Sequence, residues 1–204
     1  TAVIERVRME EKLISIIVAV YNNIDGLYET LESIRLQKYI NKELIIADDG
    51  SILKVVSYIH EYLEENKIYF KRSELVHNKI NMGTVKNLQI ACTHANGEII
   101  KPLSPGDLLY SKDTLSDINS FFGKYHPHIA CGIPRSYSQI DKKIADIDLY
   151  YTDMYKSKRS RSLKLRAMLL GSRFITGASI IWSKEFTQNK VFCLPESVRY
   201  CEDL

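Results

Sequence analysis

The sequence predicts an α/β fold: a wound, mostly parallel sheet with helices on both faces, followed by a smaller mixed region. Three observations predict it. Apolar runs of strand length recur at 13–20, 43–49 and 98–103, as expected for strands covered on both faces. Between them lie segments whose apolar residues recur at helical spacing. The two kinds of segment alternate over roughly 90 residues, the rhythm of parallel strands joined by crossover helices.

The first strand is LISIIVAV (13–20). Asn22, Asn23 and Asp25 are residue types that cap helices, and Leu27, Leu31 and Ile34 follow at helical spacing. The second strand, ELIIADD (43–49), ends in two acids; Gly50 suits a tight turn and Ser51 a helix cap. Val55, Val56, Ile59 and Leu63 mark the second helix, and a short third strand falls at either 68–70 or 75–76. Gly83 opens a third helix with Val85, Leu88, Cys92 and Ala95 on one face. EIIKPL (98–103) is the fourth strand, stopped by the turn Ser104–Asp107. Regularity then falls. Ser111 can cap a helix bearing Leu115, Ile118 and Phe122. HIACGIP (128–134) and TGASIIWS (176–183) read as strands, KKIADIDLYY (142–151) as hairpin strands, and LKLRAMLLG (163–171) as a helix.

Composition excludes several classes. With 45% hydrophobic and 26% charged residues over 204 positions, the chain can bury a core and is not disordered. No apolar run approaches the roughly 18 residues of a membrane span. Residues 1–12 alternate charges, so no signal peptide is expected there. Cys92, Cys131, Cys193 and Cys201 form no C-x-x-C pair, so reduced thiols and a cytoplasmic location are expected rather than a zinc site. The net charge of +3 is uneven: 156–166 (KSKRSRSLKLR) holds six basic residues and no acid, leaving the remainder at −3. That is not a nucleic-acid-coating protein. The basic segment suits either a solvated loop or peripheral contact with anionic headgroups at the inner face of a membrane.

In wound sheets ligands bind beyond the carboxyl ends of the strands. The polar residues placed there are Tyr21, Asn22, Asp48, Asp49, Asn78, Asn81 and the 104–107 turn. An acid at that rim can accept a hydrogen bond from a base or ribose, or merely cap the next helix. In N-M-G-T-V-K-N (81–87) a glycine at a helix start leaves N–H groups facing outward, with Lys86 in the first turn. Neither a Walker loop nor G-x-G-x-x-G is present. Asp107 on its turn can hold a hard cation. Glu202 and Asp203, in Y-C-E-D-L, offer a general base. Each motif alone is as well read as an ordinary turn, cap or surface.

Together and in this order they resemble the inverting, nucleotide-sugar-dependent glycosyltransferases of family 2, which have the GT-A (Rossmann-like) fold. The resemblance rests on S-I-I-V-A-V-Y-N-N (15–23), L-I-I-A-D-D-G-S (44–51), N-M-G-T-V-K-N…L-S-P-G-D (81–107) and C-E-D-L (201–204). It implies one domain over 1–204, with a nucleotide-binding half at 13–110 and an acceptor-side half at 111–204, truncated at its C-terminus. It implies that Ala19 and Tyr21 line the base pocket, that Asp49 hydrogen-bonds the base, and that Asp48 supports the turn. Lys86 would lie near the diphosphate and Asp107 would coordinate Mn2+ or Mg2+. Asp203, with Glu202 beside it, would deprotonate the acceptor. The implied donor is a UDP-sugar, the acceptor a glycan or lipid-linked molecule in polysaccharide biosynthesis, and nucleic acid is not a partner. The sequence departs from the family pattern at Ser104 and Gly106, where acids are usual. Two other readings stand beside this one: a non-catalytic nucleotide-sugar-binding domain, and a nucleotidyltransferase. The latter is disfavoured because Y-N-N-I-D-G after the first strand has no basic residue.

Overall fold

In a computed structural model, residues 10–138, 140–146 and 177–189 are described. Four strands, β1 (Ile14–Val20), β2 (Lys42–Asp48), β3 (Ser73–His77) and β4 (Ile99–Leu103), run parallel, with β1 between β2 and β4 and β3 outside β2. The helices α1 (Leu27–Arg35), α2 (Leu53–Asn66) and α3 (Thr84–His94) are their crossovers. The predicted wound α/β sheet is therefore present. It is extended by two antiparallel strands, β8 (Ile180–Ser183) against β4 and β5 (Ile129–Cys131) against β8, giving the order β3-β2-β1-β4-β8-β5. A two-stranded ribbon, β6 (Arg135–Tyr137) with β7 (Ile144–Asp146), stands apart. Helices α4 (Thr114–Tyr125) and α5 (Lys184–Asn189) complete the described elements.

The two faces of the sheet carry separate cores because side chains alternate along each strand. Ile14, Ile16, Val18 and Val20 face α1, α2 and α4, meeting Leu31, Ile59 and Phe122. Ile17, Ile45 and Ile100 face α3, meeting Leu88, Ala91 and Cys92, with Trp182 beside them. Every residue of β2 and β4 is buried, the charged Lys42, Glu43, Asp48 and Lys101 among them.

Local details correct several sequence expectations. Of the two places for the third strand, 75–76 is correct, inside the longer β3 at Ser73–His77, and Lys67–Tyr69 is a 3-10 turn. Neither Asn22, Asn23 nor Asp25 caps α1; it starts at Gly26, whose φ of 77° admits no ordinary residue without strain. Asn22 instead accepts a hydrogen bond from the Ile52 N–H at 2.9 Å, and Ser51 accepts one from Asn22 at 2.8 Å. Ser51 thus braces β1 against the β2 turn and does not cap α2, which begins after Ile52. Asp113, not Ser111, precedes α4. The helix expected at 163–171 lies outside the described residues, as do residues 147–151 of the segment expected to hold hairpin strands; its residues 144–146 form β7, paired with β6.

Candidate active site

The acid pair at the end of β2 organises the rim. Asp48 is fully buried; its Oδ2 accepts from the Ser51 N–H at 3.1 Å and lies 2.7 Å from His77 Nδ1, while its buried Oδ1 has no partner among the described residues. Asp49 is also buried. Its Oδ1 accepts from Asn78 Nδ2 (3.0 Å) and the Met82 N–H (2.9 Å), and its Oδ2 from the Gly83 N–H (2.8 Å). Asp49 therefore holds the 78–83 loop and sets where α3 begins, with one lone pair of Oδ2 left over. Asn87 completes this frame, donating to the Ala47 carbonyl at 2.8 Å and accepting from Asn78 at 3.0 Å. Gly50, at φ 80°, lets the acid turn close on this loop, since a Cβ there would meet the Ile80 carbonyl carbon at 2.8 Å.

The second acid turn is built by α1. Asp107 accepts from the Ser104 N–H at 2.8 Å, and its own N–H returns to the Ser104 carbonyl at 2.9 Å, closing the turn on itself. Thr30, fully buried in α1, anchors it: its hydroxyl donates to Gly26 O (3.0 Å) and accepts from the Gly106 N–H (2.9 Å). Gly26 and Gly106 are packed so closely that a Cβ on Gly26 would lie 2.9 Å from the Gly106 nitrogen.

A cavity of about 320 Å³ opens at the ends of β1 and β4. Ala19, Leu103, Ser104 and Asp107 form one side, Thr84 and Leu88 of α3 another, and Gly177, Ala178, Ile180 and Trp182 the far wall. A larger one, about 610 Å³, lies beside α4 and the β6–β7 ribbon; Asp107 and Ala178 line both. The structure thus brings Ala19, Asp107 and the start of α3 together. Tyr21, half exposed at the end of β1, Lys86, half-buried in the first turns of α3, and the buried pair Asp48 and Asp49 do not line the smaller cavity. Glu202 and Asp203 lie outside the described residues.

Among the described residues no three His, Cys, Asp or Glu side chains converge. The donor set at the turn is one carboxylate, with Oδ2 engaged by Ser104 and Oδ1 turned to no backbone partner among the described residues. That fits a Mg2+ or Mn2+ ion of the kind held by one carboxylate, with phosphate oxygens and water as its other ligands.

Sequence reasoning passed over Thr30, His77, Asn87 and Lys101. Lys101 carried a signal: it is the one charged residue inside the apolar EIIKPL run between Glu98 and Ser104. It is 4% exposed, and its ammonium donates to the carbonyls of Pro102 (2.9 Å), Ala178 (2.7 Å) and Ile180 (3.2 Å). Burial pushes its pKa down to about 7, with Asp107 opposing the shift.

A parallel sheet with acids at the carboxyl ends of β2 and β4 and a cavity between β1, β4 and α3 has the arrangement of a GT-A glycosyltransferase domain. The family model for glycosyl transferase family 2 matches residues 15–188, and the chain belongs to that family. An uncharacterized glycosyltransferase of Rickettsia typhi is 26% identical over 94% of this chain and 56% of its own length. Another, of Haemophilus influenzae, is 32% identical over 47% of this chain and 28% of its own. This chain therefore spans about half or less of these relatives. Among solved structures, a mannosyltransferase from Pyrobaculum calidifontis in complex with GDP-Man and Mn2+ superposes with a TM-score of 0.67 at 19% identity, over 93% of this chain and 49% of that one. S. aureus TarS 1–349 in complex with UDP-GlcNAc superposes with 0.61 at 19%, over 93% and 50%. These likenesses show the GT-A fold.

Proposed function

We propose that the chain is a glycosyltransferase domain that moves a sugar from a nucleotide-sugar, a UDP-sugar by default, to a hydroxyl of a glycan or lipid-linked acceptor. The observation that carries this is the cavity in which Ala19, the start of α3 and Asp107 meet. The nucleotide lies along the rim, its base toward Tyr21 and the acid turn, where Asp49 keeps a lone pair for a ring N–H. Its diphosphate reaches toward the start of α3, with Lys86 adding positive charge, and toward Asp107. A divalent cation on Asp107 would neutralise the diphosphate oxygens when bound. Asp203, supported by Glu202, takes the proton of the acceptor hydroxyl. The acceptor oxygen then bonds to the anomeric carbon opposite the departing diphosphate, whose C–O bond breaks, giving inversion and free nucleoside diphosphate.

The whole chain acts as one domain, 13–110 holding the donor and 111–204 facing the acceptor. No described helix is long and apolar enough to cross a membrane. We place the enzyme in the cytoplasm in polysaccharide biosynthesis, its basic 156–166 segment suited to an anionic membrane surface. The test is Asp203→Asn: transfer falls at least a thousandfold while donor affinity stays within about threefold. Equal transfer by the variant removes Asp203 from the mechanism. A second reading, donor binding without transfer, is favoured by the loss of acids at Ser104 and Gly106. It predicts no nucleotide release from any donor by the native chain.

A further inference from the structure

Pro102 interrupts the sheet where the cavity opens. The β4–β8 register pairs Ile99 with Ser183 and Ile100 with Trp182, and the Lys184 N–H donates to the Glu98 carbonyl. In an antiparallel ladder hydrogen-bonded pairs alternate, so Glu98–Lys184 and Ile100–Trp182 are such pairs and the next is Pro102–Ile180. Ser183 of β8 and Ser179 just before it turn the other way, the Ser183 N–H donating to His128 O and the Ser179 carbonyl accepting from the Gly132 N–H. Pro102 has no N–H, so the carbonyl of Ile180 lacks its ladder donor. The pairing stops there, although β4 continues against β1 to Leu103.

Lys101 fills the gap. Its ammonium takes the carbonyls of both members of the missing pair, Pro102 and Ile180, and adds that of Ala178. Three N–H donors meet three acceptors, so the buried ammonium is fully satisfied. Pro102, Ala178 and Ile180 all line the smaller cavity, Pro102 from the strand that leads to the Asp107 turn and Ala178 and Ile180 from the 177–182 wall.

We propose that Lys101 is a positioning residue that replaces the missing Pro102–Ile180 ladder pair and so fixes the distance between the Asp107 side of the donor cavity and its 177–182 wall. It touches no substrate and acts through that wall. This rests on the donor occupying the cavity.

The experiment compares the native chain with Lys101→Met, Pro102→Ala and the double variant. Amide hydrogen exchange at 180–183 is read, and titration with UDP, GDP, UDP-GlcNAc and GDP-mannose in Mn2+. In Lys101→Met, exchange at 180–183 rises at least about tenfold while β1 and β2 are unchanged, and affinity for the best nucleotide-sugar falls about tenfold. Pro102→Ala returns an N–H aimed at Ile180, so the double variant recovers protection and affinity to within about threefold of native. Unchanged exchange in Lys101→Met, or losses that merely add in the double variant, overturns the proposal. Should Lys101→Met not fold, the double variant is expected to fold, and its failure to do so overturns the proposal too. If the native chain binds no nucleotide, the donor reading fails, and exchange alone still decides whether Lys101 stands in for the ladder pair.

Discussion

Asp49 shows how one side chain carries several parts of the site. Its oxygens accept three hydrogen bonds from the loop that leads into α3, so Asp49→Ala should cost about 2–3 kcal/mol of stability. Urea unfolding checks the first effect, and UDP titration a loss of affinity larger than stability alone explains. The acid pair was legible in the sequence as a strand ending at a rim, but its partners were not, because Asn78, Met82 and Gly83 meet Asp49 only once β2 and β3 pair. Lys101 makes a prediction of its own. Its pKa is about 7 folded, against an ordinary 10.5. Between those values the folded chain binds fewer protons than the unfolded one, so stability rises with pH across that window. Asp107, Asp117 and Arg135 are the charged groups lining the same larger cavity. Thermal unfolding at pH 6.5 to 9.5 should therefore show the native chain gaining on Lys101→Met as pH rises. A constant difference would mean that the three carbonyls offset the desolvation of the ammonium and leave its pKa unshifted.

Among the elements, α1 and the 104–107 turn form one unit joined by Thr30. Thr30→Val keeps the shape but strands the Gly106 N–H, and should cost about 1–2 kcal/mol of stability. Metal-dependent nucleotide affinity should fall more than metal-independent affinity, because the turn bearing Asp107 loses its anchor; equal losses would show that the turn holds itself. Whereas β3, five residues with one buried side chain, left two places open, the other three parallel strands and the three crossover helices were legible because each carries an apolar run or a helical period. The edge was not. β5 and β8 have three and four residues, and their antiparallel pairing depends on partners about 50 residues or more away rather than on local pattern. The same lack of local signal hid the end of the β4–β8 ladder, although Lys-Pro inside an apolar strand marked the place.

Across the whole molecule, the rim that carries the site is opposed by a polar anchor at the other end of the strands. Glu43, 1% exposed, accepts from Ser15 Oγ at 2.5 Å, from the Asn96 N–H at 2.6 Å and from the Gly97 N–H at 3.2 Å. Burial pulls its carboxyl upward, but these bonds outweigh it and leave the pKa below the ordinary value. The stability it supplies is present above the ordinary carboxylate range and is lost as pH falls through the folded value. Glu43→Ala should cost about 3 kcal/mol at pH 7, measured by urea unfolding, while leaving nucleotide affinity within about twofold. The proposed function puts a nucleoside diphosphate in the cavity between β1, β4 and α3, held through Asp107. Calorimetric titration of UDP, with GDP as control, with and without Mn2+, on the native chain and on Asp107→Ala decides this. UDP binding is expected to require Mn2+ and to disappear in Asp107→Ala. Binding that is indifferent to both the ion and the substitution, or no binding by a folded native chain, would contradict it.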